Sequence, residues 1–82
     1  MSYEKVEQAK HPIIGSKQTQ KALHARLVDE LYVARDAEPH AVEEVIALAS
    51  YTGVAVVYVD SMKRLGRAAN IDVGAATVAL RK

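Results

Sequence analysis

The strongest constraint on the fold is a continuous apolar run, VAVVYV, at residues 54–59. Most of these residues are β-branched or aromatic, and such residues favour β-strands. An unbroken apolar run, in place of an alternating one, is typical of a strand that is covered on both faces of a sheet. We therefore predict a strand here, at the centre of a sheet that has helices on both sides.

Three shorter apolar runs alternate with segments of helical periodicity. The further strands are predicted at residues 13–14, 31–34 and 77–80, and the helices at residues 3–10, 16–27, 39–51 and 61–69. In the second helix, Leu23 and Leu27 are predicted to lie in the core. This alternation predicts an α/β fold, a three-layer α-β-α sandwich with a small mixed sheet of about four strands. A chain of 82 residues is expected to form a single domain.

Residues with known preferences mark the predicted helix ends. Ser16 and Ser61 are favoured N-cap residues, and Pro39 suits the first position of a helix. Gly53 and Asn70 can end a helix in the left-handed conformation.

Composition excludes several classes of protein. The chain has no cysteine, so disulfides and cysteine-based zinc sites are excluded. No segment approaches the roughly 18 consecutive apolar residues of a membrane span, and residues 1–5 lack the apolar core of a signal peptide. The expected location is the cytoplasm.

Charge is unevenly distributed along the chain. Residues 1–35 hold six basic and four acidic residues, residues 36–60 hold five acidic and no Lys or Arg, and residues 61–82 hold five basic and one acidic. A polyanionic partner would therefore meet the two ends of the chain and not its middle. The alternative is that each helix merely has its own solvated charged face.

Catalytic and metal sites find little support in the sequence. The histidines fall on different predicted elements, without ligands at recognised spacing: His11, His24 and His40. Asp60 and Ser61 place an acid beside a hydroxyl without a base, and the adjacent Glu43 and Glu44 point along different helical directions. We predict a protein that is not an enzyme and that uses no metal or cofactor.

A short apolar run ends at Gly15 and is followed directly by a helix with polar side chains in its first turns. Gly15 permits a sharp turn, and the amides of a helix start attract negative charge. Lys17, Gln18 and Lys21 would surround this end, with the two lysines on one helical face. Neither GxGxxG nor GxxxxGK[ST] fits around Gly15. An ordinary capped helix with solvated lysines is therefore the alternative.

A second candidate segment is the turn at residues 70–76, NIDVGAA. It places two apolar residues, Ile71 and Val73, between a predicted helix and a predicted strand. Such side chains can plug the edge of a core, and in RNA-binding proteins they can pack against splayed bases.

Three ordered motifs resemble those of the kink-turn-binding ribosomal protein superfamily, which includes the L7Ae and L30e types. Residues 15–23, GSKQTQKAL, resemble the signature G-x-[NK]-[EQ]-x-x-K-A. Residues 34–39, ARDAEP, resemble the acidic-proline loop of that superfamily. Residues 54–69 resemble its block V-P-x-x-x-V-x-S-x-x-x-L-G-x-A. The match spans essentially the whole chain, and its small size is similar to that of the bacterial YbxF-type members.

This resemblance implies binding to kink-turn RNA, in which a three-nucleotide bulge and tandem sheared G·A pairs bend a helix sharply. Lys17 would donate to guanine, Gln18 would contact purine edges and Lys21 would contact phosphate. Ile71 and Val73 would pack on a flipped base. The full set of implied RNA-binding residues is Gly15, Ser16, Lys17, Gln18, Lys21, Glu38, Ile71, Asp72, Val73 and Gly74. The implied partner is structured RNA such as ribosomal RNA or an mRNA leader, bound by a monomer, with no DNA and no membrane.

The chain departs from the superfamily pattern at two places. Lys17 and Gln18 stand where many members have Asn-Glu, so we expect recognition to depend more on charge and to weaken as salt rises. Ala55 replaces the usual proline, which is expected to affect only the entry to the strand.

Two other functions remain open at this point. The turn containing Ile71 and Val73 could bind a protein partner, as in a protein-interaction or ribosome-assembly module. The helix start at Gly15 could instead bind a small phosphate-bearing ligand.

Overall fold

The computed structural model describes residues 3–82. Within that range the helices are α1 (Glu4–Gln8), α2 (Ser16–His24), α3 (Pro39–Thr52) and α4 (Met62–Ala68). The strands are β1 (Ile13–Ile14), β2 (Val28–Ala34), β3 (Ala55–Val59) and β4 (Thr77–Arg81). They form one sheet in the order β1-β4-β2-β3. Strands β2 and β3 are parallel, while β4 runs antiparallel to both β1 and β2.

The sheet is the middle layer of the molecule, as predicted. Helix α2 packs with α3, and α1 packs with α4, so each pair of helices covers the sheet from one side. The core between these layers contains fully buried side chains from every layer, among them Leu23, Leu31, Val45, Leu65 and Val78. Each such side chain contributes about 1.5–3 kcal/mol relative to an exposed one. The predicted three-layer sandwich with a mixed sheet is therefore confirmed.

The predicted central position of the strand at residues 54–59 is wrong. Strand β3 pairs only with β2 and forms one edge of the sheet. Its residues are correspondingly less buried than those of β2, and Tyr58 is 40% exposed. An apolar run therefore shows neither how many strands flank it nor, in this case, that both faces are covered, since Val59 is the buried residue of β3.

Helix α2 is shorter than predicted, because it ends at His24 and not near Leu27. Arg26 adopts a left-handed conformation with φ of 60°, and the Leu27 N–H donates to the Ala22 carbonyl at 3.0 Å. This closing pattern turns Leu27 outward, leaving it 42% exposed, whereas Leu23 is fully buried as predicted. The sequence offers no Gly or Asn here to mark the end of the helix.

The residues predicted to mark the ends of α3 and α4 are confirmed, whereas α1 ends at Gln8 and not at residue 10. The Ser61 hydroxyl accepts a hydrogen bond from the Arg64 N–H at 3.2 Å, and Pro39 is the first residue of α3. Gly53 and Asn70 both have left-handed backbones, with φ of 76° and 65°. None of the helices in the described part of the chain is long and apolar enough to cross a membrane.

Candidate nucleic-acid interface

One end of the sheet collects the segments that the sequence singled out. The Gly15 N–H donates to the Thr77 carbonyl at 3.4 Å, and the Ala34 N–H donates to the Ala76 carbonyl at 2.9 Å. The Arg35 N–H donates to the Val59 carbonyl at 2.8 Å. The carboxyl ends of β1, β2 and β3 and the start of β4 therefore lie side by side. We call this edge the site end.

Gly15 connects β1 to α2 through a backbone that suits glycine alone. Its φ of 92° and ψ of 150° lie where a side chain is strained. A Cβ built at Gly15 would meet no atom within 4 Å, so the requirement comes from the backbone and not from crowding. The turn brings the start of α2 directly onto the site end.

Ser16 does not cap α2, contrary to the sequence prediction. Gly15 occupies the N-cap position without a side-chain hydrogen bond, and Ser16 is the first helical residue. The Ser16 hydroxyl instead donates to the carbonyl oxygen of Ala41 in α3 at 2.8 Å. A serine at a strand-to-helix junction favours capping only if it stands at the N-cap position itself. Here the Ser16 hydroxyl connects the start of α2 to the first turn of α3.

Helix α2 presents a polar face beside this junction. Lys17, Gln18 and Lys21 are all exposed, whereas Thr19 and Leu23 are fully buried against the rest of the protein. The two lysines are four positions apart and therefore share one face. The first turn of α2 thus offers cationic and amide donors next to uncapped backbone N–H groups.

Glu38 lies next to this helix start. It is exposed and precedes the first residue of α3, and its carbonyl accepts from the Ala41 N–H at 2.9 Å. Because the Ala41 carbonyl also accepts from Ser16, the loop that carries Glu38 is tied to the start of α2. The structure therefore brings Gly15, Ser16 and Glu38 together.

The turn at residues 71–74 is held against the same loop through the first residue of α4. Asp36 Oδ1 accepts a hydrogen bond from the Met62 N–H at 2.8 Å, and the Met62 carbonyl accepts from the Ala75 N–H at 3.0 Å. A Cβ at Gly74 would stand 3.3 Å from Met62 Cβ, which shows how closely the turn approaches α4. Asp36 and Met62 thus connect two of the predicted segments.

The two apolar residues of the turn have different environments. Ile71 is half-buried and packs against the core, and its N–H donates to the Gly66 carbonyl at 3.0 Å. Val73 is 70% exposed, and Asp72 and Gly74 beside it are exposed as well. Ile71 anchors the turn, and Val73 is the side chain that projects from it.

Gly66 is a contributor to the site that the sequence analysis did not single out. A Cβ at Gly66 would stand 2.0 Å from the Val73 carbonyl oxygen, so only glycine allows the turn to cross α4 here. The third motif contains this residue in its L-G-x-A part, which is the signal that could have identified it.

The carboxylate of Asp60 at the site end is engaged within the protein. Asp60 accepts a hydrogen bond from the Tyr3 hydroxyl and pairs with Arg64 at 3.4 Å. The hydrogen bond from Tyr3 lowers the pKa of Asp60 below its ordinary value, and Arg64 adds to this effect. The Arg64 guanidinium also lies over the Tyr3 ring, 5.2 Å from its centroid. This cluster joins α1 to α4.

Metal binding finds no support in the described residues. Among residues 3–82, no group of three or more His, Asp and Glu side chains converges on a point where an ion could be held. The side chain of His40 is 90% exposed, and its Nδ1 lies 3.7 Å from the Glu43 carboxylate.

Comparison with known proteins gives a consistent result along the whole chain. The model of the ribosomal protein L7Ae/L30e/S12e/Gadd45 family matches residues 2–82. An RNA-binding protein of Halalkalibacterium halodurans is 58% identical over 82 residues, which are 100% of both chains. The RNA-binding protein YbxF of Geobacillus stearothermophilus is 51% identical over 80 residues, 98% of each chain. The large ribosomal subunit protein eL8 of Halobacterium salinarum is 36% identical over 80% of this chain and 56% of its own length.

Solved structures share the fold. The Giardia lamblia 15.5kD RNA binding protein superimposes with a TM-score of 0.86 at 22% identity, covering 98% of this chain and 68% of that one. A Bacillus halodurans protein described as having unknown function gives a TM-score of 0.84 at 19% identity, covering 98% of this chain and 80% of that one. The three-layer arrangement is therefore one that these two solved structures share with this chain.

Proposed function

Because the chain belongs to the ribosomal protein L7Ae/L30e/S12e/Gadd45 family, as its motifs predicted, we propose that it is a non-enzymatic protein that binds kink-turn RNA. Relatives that it matches over nearly their full length are named RNA-binding proteins. The proposed partner is structured RNA with a kink-turn, such as ribosomal RNA or an mRNA leader, bound by a cytoplasmic monomer.

The observation that supports this proposal most directly is the convergence of three separate segments at the site end. The start of α2, the loop with Glu38 and the turn with Val73 are linked by hydrogen bonds through Ser16, Asp36 and Met62. A regular RNA helix hides its base edges in a deep and narrow major groove. A composite surface of this kind instead suits a bent RNA that exposes bases and backbone at several places together.

The polar face of α2 would enter the major groove where the kink widens it. Lys17 would donate to the O6 and N7 acceptors of a guanine in a sheared pair, and Gln18 would both donate to and accept from purine edges. Lys21, one turn further along, would contact a phosphate and fix the position of the helix. The bare backbone of Gly15 allows the RNA to approach closely.

The turn and the loop would hold the bulged nucleotides. Val73 offers an exposed apolar surface on which a flipped base can stack, and Ile71 holds the turn that carries it. Glu38 can accept hydrogen bonds from base amino groups. These contacts exist only with bent RNA, so their binding energy would shift the RNA from extended to bent.

The proposal is tested by fluorescence energy transfer between dyes at the two ends of a kink-turn duplex. Adding the protein should raise the transfer efficiency, because binding selects the bent state. A matched duplex whose G·A pairs are replaced by Watson–Crick pairs should show no such rise. Equal responses from both duplexes would contradict recognition of kink-turns.

Lys17→Ala tests the contact to guanine. We expect affinity for the kink-turn duplex to fall by about 1–3 kcal/mol, which is roughly 5- to 150-fold, as measured by gel-shift titration. Lys10→Ala is the matched control, since this exposed lysine lines a groove at the other end of the sheet together with Arg81. Unchanged affinity in Lys17→Ala would remove the proposed role of this side chain.

A further inference from the structure

Arg35 lies at the site end but belongs to none of the residues predicted to bind RNA. It directly follows β2, and its N–H donates to the Val59 carbonyl at 2.8 Å. Its neighbour Ala34 donates to the Ala76 carbonyl, just beyond the turn that contains Val73. The Arg35 side chain is exposed. Its backbone is therefore fixed between β3 and the turn, whereas its guanidinium is open to a ligand.

Tyr58 of β3 holds the guanidinium of Arg35 in place. The Cζ atom of Arg35 lies 5.2 Å from the centroid of the Tyr58 ring. Tyr58 pairs in register with Val33, and side chains two residues apart along a strand share a face, so Tyr58 and Arg35 lie on the same side of the sheet. A cation over a ring keeps its full charge while losing side-chain freedom.

The charge of Arg35 is not paired with an acidic side chain in the part of the chain that the structure describes. Among the ion pairs of residues 3–82, none involves Arg35. Arg64 makes a useful contrast, because it also lies over a tyrosine ring but is paired with Asp60 at 3.4 Å. Arg35 is therefore an oriented cation at the site end whose N–H donors remain available.

We propose that Arg35, oriented by Tyr58, is an additional RNA-binding residue that contacts a backbone phosphate of the bound RNA. This inference depends on the proposed function, since it extends the same site toward the edge strand β3. A planar guanidinium matches the geometry of a phosphate through two parallel N–H donors. The positive charge also offsets the repulsion that Asp36 and Glu38 in the next residues would exert on a phosphate.

Tyr58 would act on affinity only through Arg35. Holding a long side chain near its bound conformation reduces the entropy that is lost on binding. Removing the ring should therefore weaken RNA binding in the presence of Arg35 and have no effect in its absence. Tyr58→Phe retains the ring and should bind as the unaltered protein does.

The test is a set of affinity titrations with the kink-turn duplex at several salt concentrations. Arg35→Ala should bind roughly 5- to 20-fold more weakly, and the slope of log affinity against log salt should decrease by about one. The affinity of Arg35→Lys should lie between that of Arg35→Ala and that of the unaltered protein, because lysine retains the charge but lacks the planar guanidinium. Arg81→Ala, which removes an exposed arginine at the opposite end of β4, should leave affinity unchanged.

The coupling is measured by a double-mutant cycle with Arg35→Ala and Tyr58→Leu. Tyr58→Leu alone should weaken binding a few-fold. The double variant should bind as Arg35→Ala does, with no further loss. Fully additive losses would overturn the positioning role of Tyr58, and equal affinity of Arg35→Ala and the unaltered protein would overturn the inference as a whole. A loss of affinity without a change in salt slope would contradict a phosphate contact.

The outcomes also separate this inference from the proposed function. If the unaltered protein bends the kink-turn duplex and Lys17→Ala weakens binding, the function stands whatever Arg35→Ala shows. If the unaltered protein fails to distinguish the kink-turn from the duplex with Watson–Crick pairs, the proposed function is wrong, and the inference fails with it. Thermal unfolding curves of each variant verify that it remains folded.

Discussion

The hydroxyl of Thr77 is buried and unpaired within the described residues. The side chain is fully buried at the start of β4, and its Oγ1 has no hydrogen-bond partner within residues 3–82. An unpaired buried hydroxyl costs about 1–3 kcal/mol, and valine has nearly the same shape and prefers strands. Thr77→Val should therefore raise the free energy of unfolding by about 1 kcal/mol in a urea titration.

Thr52 provides the matched control for this substitution. Its hydroxyl donates to the Leu48 carbonyl at 2.9 Å, so Thr52→Val removes a hydrogen bond that is made. This variant should be no more stable than the unaltered protein. If Thr77→Val lowers stability, the hydroxyl of Thr77 has a role that its surroundings do not reveal.

At the scale of elements, the sequence predicted which segments form helices and strands better than it predicted where they lie. Every predicted element exists, because apolar spacing and residues such as Ser61 and Gly53 report local conformation. The edge position of β3 could not be predicted, since strand order depends on contacts between distant segments. The early end of α2 was missed because Arg26 takes the left-handed conformation usually left to Gly or Asn.

The packing of α4 against the turn makes a prediction at this scale. Gly66→Ala would place a Cβ 2.0 Å from the Val73 carbonyl oxygen, a backbone atom that moves only with the turn. We expect the free energy of unfolding to fall by about 1–3 kcal/mol, as for other overpacked sites. Affinity for the kink-turn duplex should fall as well, because Val73 is displaced from its position.

Val28→Ala separates loss of stability from displacement of the turn. Val28 is 2% exposed and pairs in register with Arg81 at the end of the sheet opposite the turn. Its truncation should cost roughly 2 kcal/mol of stability and leave RNA affinity unchanged at temperatures where both variants are folded. Equal RNA affinity of Gly66→Ala and Val28→Ala would show that the position of the turn is unimportant for binding.

At the scale of the whole molecule, the candidate site depends on links that the sequence does not display. The sequence indicated Lys17, Glu38 and Val73 as separate candidates for a site, in roles that the family resemblance implied. Their connection through the Ser16 hydroxyl and the Asp36 carboxylate appears only in three dimensions, since each partner lies 25 or 26 residues away. The sequence also offered no reason to select Arg35, because a charged residue after a strand usually belongs to a solvated loop. Its contact with Tyr58 is visible only in the folded structure.

Stability at high pH depends on Tyr32 at the centre of the sheet. The ring is 3% exposed, and the hydroxyl donates to Glu30 Oε1 at 3.2 Å. Burial, together with the charge and hydrogen bond of Glu30, raises the pKa of Tyr32 from 10.0 to about 12. The folded state therefore favours the neutral phenol more strongly than the unfolded state does.

This difference predicts the direction of the pH dependence. Below pH 10 the phenol is neutral in both states and its full contribution is present. Between pH 10 and about pH 12 only the unfolded state loses the proton, so the free energy of unfolding falls. At 1.36 kcal/mol for each pKa unit, the loss attributable to Tyr32 is on the order of 1–3 kcal/mol.

Urea titrations of the unaltered protein and Tyr32→Phe between pH 9 and pH 12 measure this contribution. The relevant quantity is the difference in the free energy of unfolding between the two proteins at each pH, because this difference isolates the phenol of Tyr32. Tyr32→Phe should lose less stability as the pH rises, because it has no phenol to ionise at this position. Tyr51→Phe is the control: it removes the hydroxyl of a residue that is 83% exposed, and its stability should follow the same pH dependence as that of the unaltered protein. Parallel curves for Tyr32→Phe and the unaltered protein would show that ionisation elsewhere limits the alkaline stability of this fold.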